Sequence, residues 1–235
     1  MQNDPGYAYS PTGSASAVLA NESARVFMQR VYWWMSAGLA LTGVTAFVVA
    51  SSQSLTALVM PYFYPLLVIE LLVVVAFSFM QSRVSGPVAA VMFLAYALLN
   101  GLTFSIIFLV YELGSIASAF AITAGMFGAM SVYGTVTKKD LSGWGSFLMM
   151  GLIGIIIAGI VNIFIQSDML GFVRSCAGVL IFAGLTAYDT QKLRTHHANS
   201  GFSSAMSLSI TGALILYLDF INLFLHILRL LGRRR

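Results

Sequence analysis

Charge is scarce in this chain: 9% of its 235 residues are Asp, Glu, Lys or Arg, where a soluble domain carries about 25%. That shortage excludes a soluble globular domain. Cysteine occurs once, at Cys176, so no internal disulfide framework exists, and that residue reads as a small apolar filler near a helix start. Proline is limited to five residues, and Pro61, Pro65 and Pro87 stand at breaks between apolar runs. There is no Gly-rich phosphate loop, no His-Glu-x-x-His and no nucleophile elbow, so nothing marks an enzyme. Regular ten-residue segments of alternating polarity are missing too, which excludes a membrane β-barrel. His196 and His197 have no Cys, Asp or Glu at zinc-ligand spacing and read as solvated loop residues.

What the chain does have is length of apolar run. Hydrophobic residues make up 59% of it, and seven windows reach the roughly 20 residues that a bilayer crossing takes. They lie near 30–51, 62–82, 87–110, 115–136, 145–166, 171–193 and 205–231. The fold class is therefore all-α, a polytopic membrane protein with seven transmembrane helices over 25–235. Residues 1–24, rich in Ser, Ala, Gly and Asn at their start, read as a disordered cytosolic tail. Small residues at Ala121, Gly125 and Ala129, and at Gly151, Gly154 and Ala158, predict close helix packing.

Basic residues set the orientation. Arg25, Arg30, Arg83, Lys138, Lys139, Lys192 and Arg194 fall on one side, and the opposite loops are nearly bare, with Arg174 the exception. The N-terminus is expected in the cytosol. Seven crossings then put Arg233, Arg234 and Arg235 on the other side, against the same rule, so the last helix either crosses fully or re-enters; its length favours crossing. The net charge of +4 suits anionic lipid head groups beside the apolar segments and gives no sign of nucleic acid binding.

The few acids inside the apolar phase carry the functional reading. An ionised Asp near a bilayer centre costs roughly 2.5–3.5 kcal/mol on insertion scales, so such residues face the bundle interior and serve a pathway or a partner. Asp189 and Asp219 lie in the last two segments. Asp219, Asn222, His226 and Arg229 are spaced three, four and three apart, which puts them on one helical face. Whether Asp189 and Asp219 meet depends on where the turn between their helices is centred. Lys192, one turn after Asp189, offers local neutralisation instead. Glu70, in the second segment, is expected to pair with Arg229 as a secondary gate or a structural contact.

Leu185-Thr186-Ala187-Tyr188-Asp189-Thr190-Gln191-Lys192, Leu216-Tyr217-Leu218-Asp219-Phe220-Ile221-Asn222, Asn100-Gly101-Leu102-Thr103-Phe104-Ser105 and Lys138-Lys139-Asp140-Leu141-Ser142 resemble motifs of the Bax-inhibitor family, the transmembrane Bax inhibitor motif proteins. The resemblance runs from about residue 25 to the end, and its short loops are similar to those of the bacterial inner-membrane branch. It implies seven helices with the last one central. It also implies an aspartate pair, Asp189 and Asp219, that binds or gates a cation in a pH-sensitive calcium leak, with Glu70 and Arg229 as a second polar contact. Gln81 stands where a relative carries arginine, so an arginine gate on Asp189 is not implied here.

Two carboxylates in a low-dielectric site do not readily both ionise, so the pair is expected to share a proton and to exchange it for a cation such as calcium. Three classes of function stay open at this point. One is this cation leak; another is an interaction protein that regulates a membrane-bound AAA+ protease through its tail or loops; the third is a proton-coupled transporter. An aspartyl intramembrane protease fits less well, because Leu218-Asp219 lacks the glycines of that pattern.

Overall fold

The computed structural model describes residues 12–80, 83–196 and 205–235, with side chains from residue 24 onward apart from that of His196. Gln81, His197 and residues 1–11 lie outside the described residues. Eight α-helices follow one another: α1 (Thr12–Ser51), α2 (Gln53–Val59), α3 (Phe63–Met80), α4 (Gly86–Val110), α5 (Leu113–Val136), α6 (Ser142–Ile165), α7 (Asp168–His196) and α8 (Ala205–Leu231). A single 3-10 turn, Met60–Tyr62, joins α2 to α3, so these three pieces make one crossing. Among the described residues seven helical spans are long and apolar enough to cross a membrane. The expected spans and the helices agree closely. Helix α1, however, already begins at Thr12, inside the stretch expected to be a tail.

Local chemistry explains the breaks. Ser52 leaves helical geometry at φ −119° and its side chain accepts from the Leu55 N–H, which starts α2. Pro87 sits in the first turn of α4, where its missing N–H costs nothing. Gln166 ends α6 in the left-handed region at φ 53°, and Asn162 closes the turn by accepting from the Ser167 N–H at 3.0 Å. Only one residue separates Gln166 from the start of α7.

Helix α8 is the axle of the bundle. It packs against α7, α1, α5 and α4, and it is the most buried of the seven spans. Tyr217, fully buried, fixes it: the hydroxyl shares a 2.7 Å hydrogen bond with Thr42 of α1, and the ring meets Phe93 and Tyr96 of α4 edge-on. Both ends of α8 stay beside α4. Met206 lies against Gly86 at the near end, and at the far end the Arg235 N–H donates to the Val110 carbonyl and the Glu112 N–H to that of Arg233. The last helix therefore runs the full length of α4, without the bend of a re-entrant segment. The three terminal arginines lie at the opposite end from the start of α4.

The small residues follow their expected pattern in part: Gly151 of α6 packs against Ile181 of α7, where a Cβ would come within 2.7 Å of the side chain. Gly125 and Gly154 have open space where a side chain would project, and Ala121 and Ala129 are exposed, so these positions face outward. A backbone-to-backbone contact that needs a glycine is made by Gly134 of α5. A Cβ there would come within 2.3 Å of the Ala187 carbonyl oxygen, backbone against backbone. This approach holds α5 against α7 two residues from Asp189.

Candidate functional site

Asp189 comes from α7 and Asp219 from the middle of α8, two adjacent helices that run in opposite directions. Their carboxyl groups lie near enough to act on each other electrostatically. Asp219 is only 5% exposed, and its Oδ2 has no hydrogen-bond partner among the described residues. Lys192 acts electrostatically on Asp189, while its Nζ lies 5.5 Å from the Tyr188 ring centroid. For Asp219 the charged neighbour is Asp189 itself. Local neutralisation by Lys192 therefore reaches Asp189, one helical turn before it.

Both acids line a cavity of about 520 Å³ bounded by α6, α7 and α8. Asn222, His226 and Arg229 line the same cavity, so the polar face of α8 looks into one space. Asn222 donates through Nδ2 to the Leu218 carbonyl at 2.8 Å, which leaves its Oδ1 available as an oxygen donor. His226 stacks on Phe182, with ring centroids 5.7 Å apart and planes at 28°, and Gly178 makes room for the imidazole: a Cβ there would come within 2.4 Å of it. Its Nδ1 has no hydrogen-bond partner among the described residues.

Glu70 does not pair with Arg229. Its Oε1 accepts from the Thr103 hydroxyl of α4 at 2.7 Å, and that hydroxyl also approaches the Asn100 carbonyl at 3.0 Å. The reason is the direction each side chain takes around the bundle. Helix α3 leans on α4, whereas Arg229 looks into the cavity beside α6 and α7. Depth in the membrane alone suggested the pairing, and depth leaves the direction around each helix undetermined.

Sequence reasoning passed over Arg174, taking it only as an exception to the charge rule. Its side chain reaches the same cavity and lies against Gly159 of α6, where a Cβ would be 2.6 Å from the guanidinium. Gln191 was also missed: it bonds both ways to the α5–α6 loop, accepting from Leu141 N–H and donating to Lys139 O, each at 2.8 Å. That tie fixes the loop two residues from Asp189. A polar residue so near the acid motif was the signal that could have found it.

No group of three or more His, Cys, Asp or Glu able to hold a metal occurs among the described residues. Two carboxylates and one amide oxygen fall short of the six to eight oxygens that calcium takes. A cation here would keep part of its water shell.

The family model described as "Inhibitor of apoptosis-promoting Bax1" matches residues 24–235. The chain belongs to this Bax-inhibitor family. It is 45% identical over 228 residues to the inner membrane protein YbhL of Escherichia coli (strain K12), covering 94% of this chain and 97% of that protein. It is 46% identical over 211 residues to an uncharacterized protein of Deinococcus radiodurans, with 89% and 91% covered. An uncharacterized protein of Rickettsia prowazekii is 40% identical over 218 residues, with 92% of each chain covered. This member of the family is thus a seven-span membrane protein with its last helix central.

Proposed function

We propose that this chain is a pH-sensitive cation leak, with calcium as the permeant ion, and that the Asp189–Asp219 pair is its gate. One observation carries the reading: two carboxyl groups from adjacent helices line one cavity, and Asp219 keeps an unpartnered buried oxygen there. An uncompensated charge in that position costs several kcal/mol, so a proton bridging the pair is the economical resting state. A cation entering the cavity replaces that proton. Asn222 Oδ1 and water complete its oxygen shell. Cation affinity then falls as pH drops, because protons compete for the same oxygens.

No catalytic role is proposed for any residue. The bacterial inner membrane is the proposed location, because a relative that matches nearly the whole chain is named for that membrane. The basic residues of the near-end loops support a cytosolic N-terminus. Reporter fusions after Arg235 test this orientation, with a periplasmic signal expected.

The functional test is calcium flux into proteoliposomes carrying a fluorescent indicator. Wild type is expected to leak with a pH-dependent rate, and Asp189→Asn and Asp219→Asn to lose that dependence. Leak with an unchanged pH response in both variants overturns the gate. Absence of flux, together with stoichiometric capture of a membrane-bound AAA+ protease through residues 1–24, supports the regulator reading instead.

A further inference from the structure

The cavity is bipolar. Asp189 and Asp219 occupy one part of it, while Arg174 and Arg229 line it toward the far end. Arg229 lies ten residues beyond Asp219 on α8, about 15 Å along the axis, and Arg174 lies fifteen residues before Asp189 on α7, about 22 Å away. The side chains cannot close those distances, so the two arginines do not neutralise the acid pair. Among the described residues no other acid lines the cavity, and Arg174 Nε is shielded from solvent without a hydrogen-bond partner. Two guanidiniums facing one space, Arg174 half-buried and Arg229 exposed, offer paired positive charge to an anion.

The place suggests which anion. Arg174 is six residues into α7 and Arg229 two from the end of α8, within about 9 Å and 3 Å of the helix ends, the depth of lipid head groups. Helix α6 packs mainly on α7, so the cavity-facing strip of α8, including Leu218, Asn222 and Leu225, is only half-buried. The α6 wall of the cavity includes Met149 and Ile156, about half exposed at 49% and 54%, and their α6 neighbours Met150, Ile153, Ile157 and Ile160, which do not line it, are exposed as well. An apolar surface thus runs from the lipid-facing side of α6 into the cavity.

We infer that this far end of the cavity binds a phospholipid with a net negative head group, its phosphate held between Arg174 and Arg229 and an acyl chain lying along α6. Guanidinium pairs with phosphate through two parallel hydrogen bonds, which suits arginine here better than lysine. The inference is independent of whether the chain carries ions.

Native mass spectrometry and thermal unfolding of the purified full chain in neutral detergent test it, with phosphatidylglycerol, phosphatidylcholine or inorganic phosphate added. Phosphatidylglycerol is expected to stay bound and raise the melting temperature, with phosphatidylcholine and free phosphate giving neither effect. Arg174→Gln and Arg229→Gln should each weaken phosphatidylglycerol binding about tenfold, as removal of a charge-assisted pair does. Arg233→Gln, on the tail outside the cavity, should leave it unchanged. Gly159→Ala serves if Arg174→Gln fails to fold, because its methyl displaces the guanidinium and should also weaken binding. Equal binding of both lipids, an equal shift from phosphate alone, or full binding in the cavity variants overturns the proposal.

Discussion

Thr103 donates a 2.7 Å hydrogen bond to Glu70, so the carboxylate of α3 is held by its neighbour α4 and not by an arginine of α8. Glu70 and Phe77 are the buried residues of α3, a helix otherwise largely exposed and apolar. The contact therefore fixes the rotation of α3 on the bundle. Thr103→Val is expected to strand the acid and destabilise the protein by about 1–3 kcal/mol. In a double-mutant cycle, Glu70→Gln and Arg229→Gln should add within about 0.5 kcal/mol, as unconnected sites do. Thermal unfolding in detergent measures both, and a coupling well above that value would restore the ion pair.

Gly134 and Gly125 lie on one helix and should respond oppositely to the same change. Gly134→Ala places a methyl against the Ala187 carbonyl, where only backbone could yield. A loss of about 1–3 kcal/mol is expected from that overpacking. Gly125→Ala enters open space and should be neutral or stabilising by up to about 1 kcal/mol from helix propensity. Melting temperatures of the two variants check the contrast.

Asp140, in the α5–α6 loop, accepts from the Ser142 N–H at 2.9 Å, and the Ser142 side chain and that N–H hold its carboxyl below the usual carboxylate range. A depressed value in the folded state means its contribution is present above the unfolded value near 3.9 and is lost as pH falls through the folded one. It is therefore constant at neutral pH. Asp140→Asn should leave the pH dependence of flux near neutrality unchanged, which proteoliposome rates across that range measure. A shifted profile would assign the pH response to this loop.

The parts of the molecule legible in the sequence are those set by local pattern. Continuous apolar runs mark the spans because lipid demands them, and a period of three and four placed Asp219, Asn222, His226 and Arg229 on one face. That face does look into one cavity. The rest depends on how helices turn toward one another. Arg174 acquires its meaning from Gly159 on a different helix, and Glu70 from Thr103 on another. The outward glycines misled for the same reason: their spacing marks a smooth stripe and leaves open what, if anything, lies against it. The meeting of Asp189 and Asp219 depended on the axial offset between α7 and α8, which residue counts alone left open by roughly 15 Å.

Infrared difference spectroscopy of the protein in liposomes, with and without calcium, reads the proton on the acid pair directly. The account predicts that calcium removes a protonated carboxyl band, and that Asp189→Asn and Asp219→Asn each abolish this change. A carboxyl band indifferent to calcium in the wild type, or one that responds equally in both variants, would contradict exchange of a shared proton for a cation.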